Sequence, residues 1–152
     1  MEFAKDPVTG TWQSTDVTKL IGHQGVGAAP LLTPDGAVRV YAGDENRHLR
    51  ESAKPPASLG WYTTDISAQV GCLQPLTAPV LLLTPDGIEH IYTVRQDATG
   101  SYVLVEFSKA LGVPWQVTNI FSPLPLFSLS TTMIMPLTVR GGLYVYLLDT
   151  GG

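Results

Sequence analysis

A chain of 152 residues with 44% apolar and only 14% charged side chains has the length and composition of one globular domain with a real core. A formal charge of -4 and nine scattered Lys and Arg residues form no basic stripe for a phosphate backbone, which argues against nucleic acid as a partner. The apolar stretches are too short for a membrane helix of roughly 20 residues, and Ile120 to Leu129 is broken by prolines.

The start, Met1-Glu2-Phe3-Ala4-Lys5-Asp6, lacks the apolar segment of a secretory signal, which leaves the location open between the cytoplasm, a non-classical route outside the cell and a piece of a longer secreted chain. The single Cys72 makes no internal disulfide. Fifteen Gly and twelve Pro, placed mostly between β-rich runs, predict an all-β chain with almost no helix.

Taken in order, Met1 to Lys5 reads as the end of one strand and Trp12 to Val17 as the strand after it. Thr18 to Ala29 is a connection rich in glycine (Gly22, Gly25, Gly27). Pro30 to Ile66 spells a complete four-strand unit, with Pro34-Asp35-Gly36 as its first turn and Asp44-Glu45-Asn46-Arg47 as a polar hairpin tip. After a second connection, Ser67 to Ala78, Pro79 to Ile120 spells another. Its strands are Pro79–Thr84, Ile88–Val94, Tyr102–Phe107 and Trp115–Ile120, joined by Pro85-Asp86-Gly87, Arg95 to Gly100 and Leu111 to Pro114. Ile88 to Val94 alternates apolar and polar residues, predicting one covered and one wetter face. Phe121 to Thr132 is the third connection, and Met133 to Leu148 supplies two more strands.

The unit repeats. Glu106-Phe107-Ser108-Lys109 before Trp115 matches Glu51-Ser52-Ala53-Lys54 before Trp61 and Glu2-Phe3-Ala4-Lys5 before Trp12. Pro34-Asp35-Gly36 then Tyr41 answers Pro85-Asp86-Gly87 then Tyr92, and Arg140-Gly141-Gly142 then Tyr146 is a third, altered copy. Periods of about 50 residues point to propellers or stacked arrays. The expected organisation is a single domain of three four-stranded antiparallel blades, at 30–66, 79–120 and 133–152, the last completed by 1–17. Propeller rings use about four to eight blades, so three do not close alone. Three arrangements remain open: a six-bladed homodimer exchanging N- and C-terminal strands, a piece of a longer propeller, and a β-trefoil.

The run Trp61-Tyr62-Thr63-Thr64-Asp65-Ile66, then a Gly/Ala/Pro-rich crossing, Pro79 to Leu83, Asp86-Gly87, His90-Ile91-Tyr92 and Leu104-Val105-Glu106, resembles repeats of the bacterial and fungal propeller lectins, including fucose-binding and tectonin-like members. The resemblance spans essentially the whole chain, and departs where Arg140-Gly141 replaces Asp-Gly in the third copy and where Asn119 replaces Asp after Trp115. It implies a glycan or glycoprotein ligand held in pockets between blades or at the rim.

Trp12, Trp61 and Trp115 hold equivalent positions, where an indole either stacks on the apolar face of a sugar or packs one blade on the next. Glu2, Glu51 and Glu106 either accept from sugar hydroxyls or form a solvated charged face. Arg39, His90 and Tyr144 share one register of the second strand with different chemistries, which predicts non-equivalent sites. Asp16 and Asp65 are expected to hold the loop after the fourth strand by accepting backbone N–H groups. His23, His48 and His90 lack the spacing of a metal site, and no nucleophile or phosphate-loop motif occurs. No cofactor is implied. A lectin-like module without catalysis leads; a structural or protein-interaction ring is the alternative, and a propeller hydrolase or lactonase a weaker one.

Overall fold

The computed structural model describes residues 2–5, 8–16, 27–56, 58, 60–71, 75–122 and 132–149. These residues are all-β apart from one short helix. The strands are β1 (Glu2–Lys5), β2 (Trp12–Thr15), β3 (Ala28–Leu32), β4 (Val38–Gly43), β5 (Leu49–Lys54), β6 (Tyr62–Asp65), β7 (Val80–Leu83), β8 (Glu89–Gln96), β9 (Tyr102–Lys109), β10 (Gln116–Phe121), β11 (Thr132–Val139) and β12 (Gly142–Asp149). They form antiparallel sheets strictly in chain order: β1–β2, β3–β4–β5–β6, β7–β8–β9–β10 and β11–β12. The two complete units are thus two four-stranded meanders, flanked by two strand pairs.

The turns explain the order. In the first unit Gly36 takes φ +79°, and the Thr33 hydroxyl donates to the Ala37 carbonyl at 2.9 Å and to the Asp35 carboxylate, which accepts the Ala37 N–H at 3.1 Å. Thr84, Asp86 and Gly87 (φ +81°) repeat the arrangement. In the third copy Val139 pairs directly with Gly142, so Arg140 (φ +50°) and Gly141 (φ +78°) form a two-residue loop with both φ positive. Such a loop matches the natural twist of a hairpin, and β11 and β12 run eight residues each.

The second hairpin of the first unit closes through Asp44, whose carboxylate accepts the His48 N–H at 2.8 Å and pairs with Arg50 Nε at 2.8 Å. Arg47 stands there at φ +60°, where the second unit places Gly100 at +82°. Arg47→Gly is therefore expected to stabilise the chain by roughly 0.5 kcal/mol, the relief of left-handed strain exceeding the entropy glycine adds to the unfolded state. Urea melts of the variant check this.

Ser67 was expected to open a loop; instead Ile66–Val70 forms helix α1. Asp65 caps it, accepting the Ala68 N–H at 2.8 Å, and Gly71 ends it at φ +67°. Ser67 Oγ accepts the Leu49 N–H at 2.8 Å, fastening α1 to β5. Gly27 (φ +63°) is fixed for a different reason: a Cβ there would lie 2.3 Å from the Ala78 Cβ. Most of the expected Thr18 to Ala29 and Phe121 to Thr132 connections, Cys72 and His23 lie outside the described residues.

The core lies between sheets. Tyr41, Leu49 and Ile66 of the first meander meet Ile91, Val103, Val105, Phe107 and Trp115 of the second. The other face of the second meander, Tyr92, Val94 and Leu104, packs on Ile134 of β11 with Val145 and Leu147 of β12 beside it. The wetter face expected for Ile88 to Val94 is corrected: the middle sheet is covered on both sides, so alternate residues of β8 and β9 go to two different cores. Thr93 is buried without penalty because its hydroxyl and the Thr77 hydroxyl lie 3.1 Å apart. Among the described residues no helix is long and apolar enough to cross a membrane.

Candidate functional site

Two seams between successive sheets carry the polar side chains that the repeat singles out. The first lies between the β3–β6 and β7–β10 meanders. Because Tyr41 pairs with Glu51 across β4 and β5, and Arg39 stands two residues from Tyr41, all three side chains fall on one face. Arg39 Nη1 lies 2.8 Å from Glu51 Oε1 and 3.2 Å from Glu89 Oε1, which reaches across from β8. The Tyr41 hydroxyl donates to the other oxygen of Glu89, and Trp115 Nε1 donates to Glu51 Oε2 at 3.3 Å. Trp115 meets Tyr41 edge-on at 5.9 Å, and Lys109 Nζ lies 5.2 Å from the centre of the Trp115 ring and 3.6 Å from Glu51.

Arg39, Glu51, Glu89 and Trp115 are all less than 8% exposed. Burial pulls the Arg39 guanidinium down, and the carboxylates of Glu89 and Glu51 more than reverse it. Burial pushes Glu89 above the usual carboxylate range, and burial with the Glu51 charge pushes Tyr41 up. Among the described residues Arg39 Nε finds no acceptor. A cavity of about 200 Å³ adjoins Arg39 and Glu89.

The second seam lies between β7–β10 and the β11–β12 pair. Tyr92 pairs with Glu106 as Tyr41 pairs with Glu51, and His90 takes the register of Arg39. His90 Nδ1 lies 2.8 Å from Glu106 Oε1, the Tyr92 hydroxyl donates to the same oxygen at 2.9 Å, and the His90 and Tyr92 rings are parallel within 4° at 6.3 Å. Burial and the bond to Glu106 push the Tyr92 hydroxyl up. Two cavities open on this network. One, of about 580 Å³, is lined by Asp86, His90, Arg140 and Leu143; the other, of about 510 Å³, by Tyr92, Glu106, Ile120, Phe121 and Val145.

Of the eight residues expected to bind ligand, the structure brings Arg39, Glu51 and Trp115 together in the first seam, and His90 and Glu106 in the second. Trp61, Trp12 and Tyr144 join neither group. Trp61 packs on Ala42, with Lys54 Nζ at 5.9 Å, and its Nε1 has no acceptor among the described residues. Trp12 is 68% exposed, and Tyr144 stands half-exposed on β12. The solvated charged face expected for the glutamates is wrong for Glu51, which is 2% exposed, because the second meander covers it. Glu89 and Arg140 also line these seams, and neither was among the residues expected to bind ligand. The available signal was Glu89 breaking an otherwise apolar register held by Val38 and Leu143.

His48 belongs elsewhere: its Nδ1 lies 2.7 Å from Asp65 Oδ2, which also meets Arg50 Nη1 at 3.2 Å, and the cluster anchors α1. Among the described residues no group of three potential metal ligands gathers.

No known sequence family matches this chain, and no curated protein does. Among solved structures, a fucose lectin from Kordia zhangzhouensis in complex with methyl-fucoside is similar over 77% of this chain and 87% of that chain, at 19% identity and a TM-score of 0.45.

Proposed function

We propose that the chain is a carbohydrate-binding module without catalysis, taking glycans in the seams between successive units of a propeller-type ring. The observation that carries this is the His90–Glu106–Tyr92 network at the base of two open cavities. A sugar presents hydroxyls that need both donors and acceptors, and C–H faces that need apolar or aromatic walls. The second seam offers both kinds of surface: Glu106 accepts, His90 takes either role, and Ile120, Phe121 and Val145 supply the wall.

A glycan array that includes fucosylated and acidic probes tests the reading, and an array without any bound glycan would sink it. His90→Ala should weaken a glycan found there by about 10- to 100-fold, the equivalent of about 1.5–3 kcal/mol for a hydrogen bond in a charged network. Isothermal titration measures the loss, and an unchanged melting temperature assigns it to the site.

The same reading includes the quaternary arrangement. The meander order of the two four-stranded sheets supports propeller blades over a trefoil, whose barrel strands pair between repeats. Strands β11–β12 carry the registers of the first half of a blade and β1–β2 those of the second. Two copies exchanging these pairs would close a six-bladed ring, in which Trp12 of one copy stands to Glu106 of the other as Trp115 stands to Glu51. Light scattering tests it: the ring requires a species of twice the 16.3 kDa chain mass.

One observation favours the second reading, a structural or protein-interaction ring. Trp115, the best placed of the three indoles, is 6% exposed and belongs to the core.

A further inference from the structure

The two seams use the same register positions and differ where it matters for a ligand. In the first, Asp35 and Arg39 face Asp86 and Glu89; in the second, Asp86 and His90 face Arg140 and Leu143. The wall supplied by the following unit therefore changes from two acids to one base and one apolar residue, and the cavity grows from about 200 to about 580 Å³.

We propose that Glu89 is a tethered ligand that fills the first seam, and that the second seam receives the carboxylate of an acidic saccharide, such as a uronic acid, between His90 and Arg140. This rests on the glycan-binding reading of the seams and names the ligand class of one of them.

The first seam shows what the position accepts. The Glu89 carboxylate crosses from the neighbouring sheet with one oxygen 3.2 Å from Arg39 Nη1 and the other accepting from Tyr41, and it is 6% exposed. A carboxylate so far from water persists only where donors replace its hydration. In the second seam the residue at that register is Leu143, 41% exposed, so this position delivers no acid. Glu106 occupies His90 Nδ1 at 2.8 Å and turns Nε2 to the side of Thr84, whose Oγ1 lies 3.4 Å away and which lines the same cavity. Arg140, on the tight turn between β11 and β12, adds a cation at the opposite rim. An arriving carboxylate would meet a guanidinium fork on one side and, with His90 carrying a proton on both ring nitrogens, the Nε2–H on the other, while Asp86 beside them accepts ring hydroxyls.

The test compares methyl β-D-glucuronide with methyl β-D-glucoside by isothermal titration, since the two differ only at C6. The glucuronide should bind at least tenfold more tightly, and Arg140→Gln should remove that advantage. Leu143→Glu, which installs in the second seam the acid that Glu89 supplies to the first, should reduce glucuronide binding at least tenfold. Leu143→Gln, its uncharged isostere, should retain the preference for the glucuronide. Equal binding of the two glycosides, or glucuronide binding that survives Leu143→Glu, overturns the proposal. If the array finds only neutral glycans, this inference alone falls; if it finds no glycan at all, the glycan-binding reading falls with it.

Discussion

Replacing Arg39 by alanine is expected to destabilise the chain by about 3–5 kcal/mol, because it leaves two buried carboxylates without their cation. Glu51 keeps Trp115 Nε1 and the more distant Lys109, but among the described residues the one hydrogen-bond donor left to the Glu89 side chain is the Tyr41 hydroxyl. A domain of this size has a total stability on the order of 5–15 kcal/mol, so the variant should sit near the edge of folding at neutral pH. The double variant Arg39→Ala with Glu89→Leu should recover about 1–3 kcal/mol, since it removes one stranded charge and inserts the residue type found at Leu143. The deficit also depends on pH in a defined sense. Burial raises the folded-state pKa of Glu89, so the protonated form suits the folded chain, and that contribution is lost as pH rises through the raised value. The Arg39→Ala deficit should therefore be largest near neutral pH and shrink as the solution is acidified toward the ordinary carboxylate range. Urea melts of the single and double variants at pH 7 and pH 5 decide the matter; a loss below about 1 kcal/mol would mean that the carboxylates are solvated after all.

How much of this was readable beforehand follows from what each residue depends on. The strands and their order were legible because turns are local: Thr33 to Gly36 and Thr84 to Gly87 fix hairpins with side chains one or two positions away. The register of Arg39, His90, Glu51 and Glu106 was legible because a repeated sequence repeats its pairing. The burial of Glu51 was not, because it depends on Trp115, 64 residues further on, packing against it. Glu89 was missed for a related reason. Its partners Arg39 and Tyr41 belong to the preceding unit, and periodicity within one strand says nothing about the face of the next sheet. Helix α1 was missed because five residues are too few for a helical period, although its cap Asp65 was expected to accept a backbone N–H.

The three register-equivalent tryptophans should separate cleanly on truncation. Trp115→Ala removes a 6%-exposed indole from the seam, together with its bond to Glu51 and its edge contact with Tyr41, and should cost about 3–5 kcal/mol. Trp61→Ala should cost less, about 1–2 kcal/mol, because the ring is only partly buried and its Nε1 has no bond to lose among the described residues. Trp12→Ala, at a position 68% exposed, should change the stability of the isolated chain by no more than about 0.5 kcal/mol. If sequence equivalence meant equivalent roles within one chain, the three losses would match. The gradient instead follows how much of a preceding sheet each indole can reach. Trp115 has the first meander's Tyr41 and Glu51 before it, whereas Trp12 has no comparable partner sheet among the described residues. In a six-bladed ring Trp12 would gain that sheet from a second copy, so the same Trp12→Ala substitution should lower the mass seen by light scattering while leaving the chain folded. A dimer that survives Trp12→Ala intact would remove the indole from the seam and leave the exchange of strands without its side-chain anchor.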